Sequence, residues 1–464
     1  MKKREFLRTV ISFSSGSRQA DGEIDQLRIP SNTEFALREF LDPFLVTLIG
    51  IYIFGFRYIP MQDYPNWLYQ GFLFKEYLLN GNSFNGFFHL YPYVPPNAIS
   101  TICIGLLSLI ISPFIAGKIF LFMTALLLYF GARSYLSLFV KNQNSFVSCI
   151  AFYSIFNLSF LMGFVNYSFG FGLALLVMVY LVKNDLKVSR WMLSLLVLLL
   201  YLSHFLSLAM FAVFLAVYIY HTKKYRLLYY LAPAFIPAVL LFLEYYFTKG
   251  IDNIQLSQVK DSFIVRWWMF AHDVLSVIIP FHHYKWVLES GSIMKGVNHL
   301  FCVFIGAFCL YVFLKAFKKR SMTLELRLSL CVLMLILILP GYLGGVLLPS
   351  SRLIIFFALN IFASFVFKKQ GKFLHRVSIA VGVSLVSVSY LYNVYCAYQF
   401  DKQVASGIVP RDAIIRPRIL LEGTDGFTHL CFYHGITHHE PLRVFRTGLF
   451  AYPEDIKGDS FGDK

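Results

Sequence analysis

Few side chains in this sequence can do chemistry, and they stand at the ends of long apolar runs. The sharpest is Asp63, in the segment MQDYPNW at 61–67. It precedes Pro65, whose fixed φ stiffens the turn. A carboxylate held there can take a proton from a hydroxyl or bind a cation. It can equally cap a helix expected over 66–79. Asn66 and Trp67 lie in the same segment, and Asn166 and Tyr167 stand in a short turn at 163–167. His204 interrupts a long apolar stretch, where an ionisable group is costly and faces a cavity, a partner or a turn it pins. Glu244 has the same ambiguity near the end of a later run. Arg352 opens the run after PSS, and its guanidinium suits bidentate phosphate binding or anchoring at lipid headgroups. His272 lies in an apolar segment, 263–280, that also holds Trp267 and Trp268, as an interfacial helix would. Near the end, Cys431, His434 and His438 have the spacing C-x-x-H-x-x-x-H. Those are zinc-type ligands, without the second anchored pair that a structural zinc site needs.

The elements that must position these residues follow from composition. Of 464 residues, 58% are apolar and only 14% charged, against about a quarter charged in soluble domains. This excludes a soluble enzyme, a disordered chain and a nucleic-acid-binding domain. The apolar runs are continuous rather than alternating, so a transmembrane β-barrel is excluded as well. The chain is an all-α polytopic membrane protein. The seven cysteines include no C-x-x-C pair, and inert, buried thiols are expected of them.

Apolar runs predict spans at about 44–60, 117–140, 146–163, 166–182, 191–203, 205–220, 228–247, 298–315, 327–348, 353–367 and 376–398. Between them lie basic clusters at Lys183, Lys187 and Arg190, at Lys223, Lys224 and Arg226, from Lys315 to Arg327, and from Lys368 to Arg376. The positive-inside rule puts all of these, and the basic N-terminus, in the cytosol. That requires the segment near 99–113 not to cross. It also requires 191–220 to be a helical hairpin with Ser203 and His204 at its outer apex. The resulting arrangement has about 11 transmembrane helices. A cytosolic segment 1–43 precedes a membrane domain 44–398, with extracytoplasmic loops at 61–116 and 248–297. An extracytoplasmic tail, 399–464, follows. The net charge of +16 is then a topology signal, and no nucleic-acid partner is implied. A bacterial inner membrane is the expected location.

Three patterns, in this order and on one side of the membrane, resemble the bacterial GT-C class of membrane glycosyltransferases. They are MQDYPNW at 61–67, GFVNY at 163–167 with the glycine-rich SFGFG after it, and the broken hairpin LYLSHFLSLAM around His204 followed by the Arg352 span. The resemblance covers residues 44–367. It implies a GT-C-like fold and a polyprenyl-phosphate-linked sugar as donor. It also implies a glycan, lipid or protein acceptor. Asp63 would be the general base for inverting transfer, with Arg352 and His204 on the donor phosphate. Asn66, Trp67, Asn166, Tyr167, Glu244 and His272 would line the acceptor side. A divalent cation at Asp63 is compatible with this chemistry but not required by it. Two other classes compete: a non-catalytic subunit that scaffolds a larger complex, and a transporter. Gathering of the polar residues at one mouth, rather than at the midplane of several helices, argues against transport.

Overall fold

The computed structural model describes residues 32–61, 63–81, 89–139, 145–249, 322–339, 342–343, 346–347, 349–365, 372–405 and 450–451, with single residues at 307 and 314. His272, Cys431, His434 and His438 lie outside them, as do the cytosolic segment up to residue 31, most of the 248–297 loop and most of the tail.

The described chain is a bundle of helices. In order these are α1 (Asn32–Phe54), α2 (Tyr64–Asn80), α3 (Ile99–Ser108), α4 (Pro113–Leu136), α5 (Ser145–Tyr153), α6 (Leu158–Leu161), α7 (Val165–Lys183), α8 (Arg190–Ser203) and α9 (Phe205–Thr222). Then come α10 (Arg226–Leu231), α11 (Ile236–Lys249), α12 (Leu324–Ile338), α13 (Pro349–Phe365) and α14 (Lys372–Ala405). Two antiparallel pairs of two-residue strands complete it: β1 (His89–Leu90) with β4 (Phe450–Ala451), and β2 (Tyr342–Leu343) with β3 (Val346–Leu347).

Five segments are long and apolar enough to cross a membrane: Pro113–Leu136, Val165–Lys183, Phe205–Thr222, Arg226–Thr248 and Val377–Lys402. Five shorter apolar helices, including Phe40–Phe54, Arg190–Ser203 and Pro349–Ser364, pack among them. The class is that of a helical membrane protein. Helix α3 has ten residues, about 15 Å at 1.5 Å per residue, half the thickness of a hydrocarbon core. The first helix differs from the apolar run. It starts at Asn32, twelve residues before that run, and stops at Phe54, leaving residues 55–61 outside any helix. At the other end α14 extends to Ala405, past the expected end of the last span.

Local signals explain the breaks. Ser112 accepts the Ile115 N–H at 3.4 Å and Pro113 occupies the first turn, so α4 starts there. Helix α7 ends where Asp185 and Leu186 adopt left-handed φ of 50° and 62°, and α9 ends on Lys223 at 57°. Between α8 and α9 a single residue, His204, is extended (φ −170°, ψ 131°). The chain reverses there. The start of α8 meets the end of α9 at the far end, where Lys224 pairs with Asp185 and Tyr230 Oη donates to Val188 O at 3.0 Å. Arg190 there lies 4.5 Å over the Tyr230 ring. The expected hairpin apex thus sits at His204.

Two features fix the bundle around α4. A Cβ on Gly131 would stand 2.6 Å from Gly172 O, and one on Gly172 would stand 2.6 Å from the Leu127 carbonyl carbon. Helices α4 and α7 therefore meet backbone to backbone, as small residues allow in membrane helices. At the far end Asp42 binds Arg133 at 2.6 Å and accepts from Tyr129 at 2.6 Å and Ser148 at 2.8 Å. That one carboxylate joins α1, α4 and α5. The core beneath is aromatic, with Tyr52, Phe120, Phe152, Phe156 and Phe160 fully buried. Of the described cysteines Cys149 and Cys396 are buried and Cys103 is half-buried. Cys331 is exposed on α12, against the expectation of burial.

Candidate functional site

Four segments distant in sequence meet at the end of the bundle opposite the Asp185–Lys224 pair. The first is the turn before α2. Asp63 stands at the N-cap of α2 with φ −89° and ψ −9°, and its side chain makes no cap hydrogen bond. Its backbone instead is held: Asp63 N donates to Met162 O at 2.9 Å, and Asn66 N donates to Asp63 O at 3.2 Å. The second segment is the turn into α7. Gly163 has φ +78°, and a Cβ there would lie 2.6 Å from Tyr64 N and 2.8 Å from Asp63 N. Only glycine lets the two backbones approach so closely in that conformation.

The third and fourth segments are the hairpin apex and the start of α13. Arg352 is buried on the first turn of α13. Its guanidinium carbon lies 3.8 Å over the Phe164 ring centre and 5.7 Å from that of Tyr167. Its Nη1 is 2.8 Å from His204 Nε2, and the Asp63 carboxylate acts on it electrostatically. Tyr167 Oη donates to the Arg352 backbone carbonyl, and its ring meets that of His204 edge to face at 5.4 Å. His204 Nδ1 accepts the Leu206 N–H at 3.0 Å, which caps α9. Arg352 Nε is buried and has no hydrogen-bond partner.

Asp63, Tyr167, His204 and Arg352 are thus brought together. Asn66 and Trp67 are buried on the first turn of α2, and both polar atoms of the Asn66 side chain lack a partner. Asn166 plays a structural part, since its Oδ1 accepts the Ser100 N–H at 2.8 Å and so caps α3. Its Nδ2 is buried without a partner. Glu244 is exposed on α11, and its charge acts on Tyr201. Nearby Tyr93 stacks on Tyr91 at 4.8 Å and meets Tyr245 edge to face at 5.3 Å. Burial, then the neighbouring phenols, push its hydroxyl above the usual phenol range.

The residues that sequence reasoning passed over as site residues are Met162, Gly163 and Phe164. They lie in or beside the GFVNY pattern, but nothing in a sequence says that the Phe164 ring floors a guanidinium 188 positions later. No group of three or more His, Cys, Asp or Glu suited to a metal ion exists among the described residues. The charge of Arg352 acts at Asp63 and opposes a dication there. Comparison with known protein families, with curated proteins and with solved structures returns no match to this chain.

Proposed function

We propose that the chain is a membrane glycosyltransferase of GT-C type, working at the Asp63 end of the bundle. In this reading that end faces the extracytoplasmic side of a bacterial inner membrane. The N-terminus lies in the cytosol, the C-terminal tail lies outside, and eleven helices cross. The donor is a sugar on a polyprenyl phosphate, and the acceptor is a hydroxyl of a glycan, lipid or protein. Asp63 takes the proton of that hydroxyl, and the oxygen attacks the anomeric carbon from the face opposite the phosphate. The carbon–oxygen bond to phosphate breaks, and the lipid phosphate leaves with the electron pair, stabilised by Arg352.

One observation carries this reading: a carboxylate and a buried guanidinium from segments 289 positions apart are gathered at one end of the bundle, where the charge of Asp63 acts on Arg352. General-base catalysis is worth about 10²–10⁴-fold, and a preorganised donor at the departing anion about 10²–10³-fold. The experiment is transfer from a panel of radiolabelled polyprenyl-phosphate sugars by the purified chain in proteoliposomes. Asp63→Asn, still folded, should lose about 10²-fold or more, and Arg352→Lys about 10²-fold, because an ammonium lacks the planar fork.

A second reading rests on the same juxtaposition. The charges of Asp63 and Arg352 can serve only to position the first loop near α13 in a non-catalytic subunit. Under that reading Asp63→Asn lowers the unfolding midpoint and loses assembly, while no donor supports transfer by the wild type.

A further inference from the structure

The end of the bundle opposite Asp63 carries charge that transfer chemistry does not use. The turn from α7 to α8 brings Lys183, Lys187 and Arg190, and the turn from α9 to α10 brings Lys223, Lys224 and Arg226. Lys224 pairs with Asp185, and Tyr230 Oη donates to Val188 O at 3.0 Å, so the two turns form one surface. Asp185 is the single acid within residues 183–190 and 223–226, and the net charge of those two stretches is +5. Lys224 and Lys187 already act on that carboxylate.

Charge alone would be a topology signal. Around Tyr230 the cations are also ordered. The Arg190 guanidinium lies 4.5 Å over the Tyr230 ring, and the Tyr230 hydroxyl is anchored on Val188 O. A guanidinium stacked on a ring keeps its planar fork of donors. The described residues give Arg190 neither a hydrogen bond nor a carboxylate. Arg226 is exposed and stands four positions before Tyr230 in α10, on the same face by helical spacing. Below these cations the surface turns apolar. Trp191, next to Arg190, is 87% exposed, and Tyr229, next to Tyr230, is 85% exposed. Leu195, one turn after Trp191 on α8, is exposed as well. A soluble anion gains nothing from an indole and a leucine in a row beneath the cations. A phospholipid matches all three layers, because cations meet its headgroup, Trp and Tyr its interface, and an apolar helix face its chains.

We propose that Arg190 and Arg226 hold the headgroup phosphate of an anionic phospholipid, whose acyl chains lie against Trp191 and Leu195 on α8. The site lies at the opposite end of the bundle from Asp63. It stands or falls apart from the transferase reading.

Brominated acyl chains quench a nearby tryptophan, so Trp191 reports the lipid beside it. The full-length chain is reconstituted in phosphatidylcholine vesicles with rising fractions of dibrominated phosphatidylglycerol or dibrominated phosphatidylcholine. The quenching lost in Trp191→Phe is the signal of the site. The anionic lipid should be preferred by at least about fivefold, the worth of one basic residue at an anionic surface. Arg190→Gln should remove most of that preference. Lys183→Gln takes the same charge from the same end and should leave the preference within about twofold of the wild type, because Lys183 stands outside the Tyr230 stack. Arg190→Lys keeps the charge and loses the planar fork, so its preference should fall at least about twofold. This variant carries the test should Arg190→Gln not fold.

Equal quenching of Trp191 by the two lipids overturns the site. So does an equal fall for Arg190→Gln and Lys183→Gln, since a diffuse field acts without regard to the stack. An Arg190→Lys variant with the wild-type preference overturns it for the same reason. Loss of the preference to inorganic phosphate, with sodium chloride of matched ionic strength as control, assigns the cations to a soluble anion. Trp191 unquenched by either lipid lies outside the bilayer, and the patch is then left to an acidic protein. In both of those cases the lipid site falls, and the proposed function at the other end is untouched.

Discussion

Replacing Gly163 by alanine tests how Asp63 is held in place. The position has φ +78°, and the added Cβ would stand 2.6 Å from Tyr64 N and 2.8 Å from Asp63 N. Two costs add. An L-residue in the left-handed region costs about 1–2 kcal/mol. Pressing a methyl into backbone that cannot rotate away costs about 1–3 kcal/mol more. Gly81, at the end of α2, has φ 59° and ψ −151° and nothing within 4 Å of its Cβ position. Gly81→Ala should therefore show a backbone cost alone, about 1–3 kcal/mol, in a region all but reserved for glycine. For Gly163→Ala the summed backbone and steric cost is about 2–5 kcal/mol. It is read from reversible unfolding in mixed micelles, with helical circular dichroism followed against the mole fraction of denaturing detergent. The relief for Gly163→Ala is separation of the first loop from the α7 turn, which carries Asp63 away from Arg352. A shift near 1 Å costs about 10²-fold in rate where positioned groups react, so transfer should fall further than stability explains. A Gly163→Ala variant that loses less than about 1 kcal/mol would refute the claim that this contact clamps the loop.

Three further outcomes are expected. Asp42→Asn leaves Arg133 half-buried without its counter-charge and weakens the bonds from Tyr129 and Ser148. It should cost about 3 kcal/mol in the same unfolding assay, with donor binding at the other end unchanged. Asp185 pairs with Lys224, and that hydrogen bond, ahead of the charges of Lys224 and Lys187, holds its carboxyl below the usual range. A depressed carboxyl stabilises above its unfolded value near 3.9 and loses that stability as pH falls through the folded value. Asp185→Asn keeps the left-handed backbone tolerable and removes only the charge. Both side chains are more than a third exposed, at 55% and 36%, so it should cost less than about 1 kcal/mol at pH 7 and nothing once the carboxyl is protonated. Gly172→Val would drive a side chain into the Leu127–Leu128 backbone and should cost more than about 3 kcal/mol by the same measurement.

Much of the fold is written in hydrophobic periodicity and charge. The break at His204 is readable because a polar pair inside a long apolar stretch has nowhere to go but a turn. The shortness of α3 is readable from Pro113, which caps the next helix and cuts the run. The early start of α1 is hidden. Asp42 and Pro43 look like the end of a solvated tail, and only the distant Arg133, Tyr129 and Ser148 make Asp42 part of the bundle. The candidate site is legible in the same uneven way. Asp63, His204 and Arg352 stand out because charge is rare in apolar runs. Asn166 stands out equally, yet its side-chain oxygen serves a helix start. Phe164 and Gly163 stand out less, because their roles exist only once two backbones and a guanidinium meet. Residue type marks what a group can do, and long-range contact decides what it is used for.

The last described long helix sets a timetable. Asp401, near the end of α14, accepts the backbone N–H of Tyr58 at 2.7 Å, across 343 positions of chain. Its charge also acts on Lys118, whose ammonium donates to Phe56 O. At the usual pace of synthesis, about 5–20 residues per second, the carboxylate emerges roughly 20–70 s after the link it secures. Through that interval Arg57 and Lys118 stand together at the base of the first loop without their anion. The loop that carries Asp63 therefore reaches its final anchorage only when α14 arrives. Any quality-control factor that reads exposed cations at that base would see every nascent copy as unfinished until then.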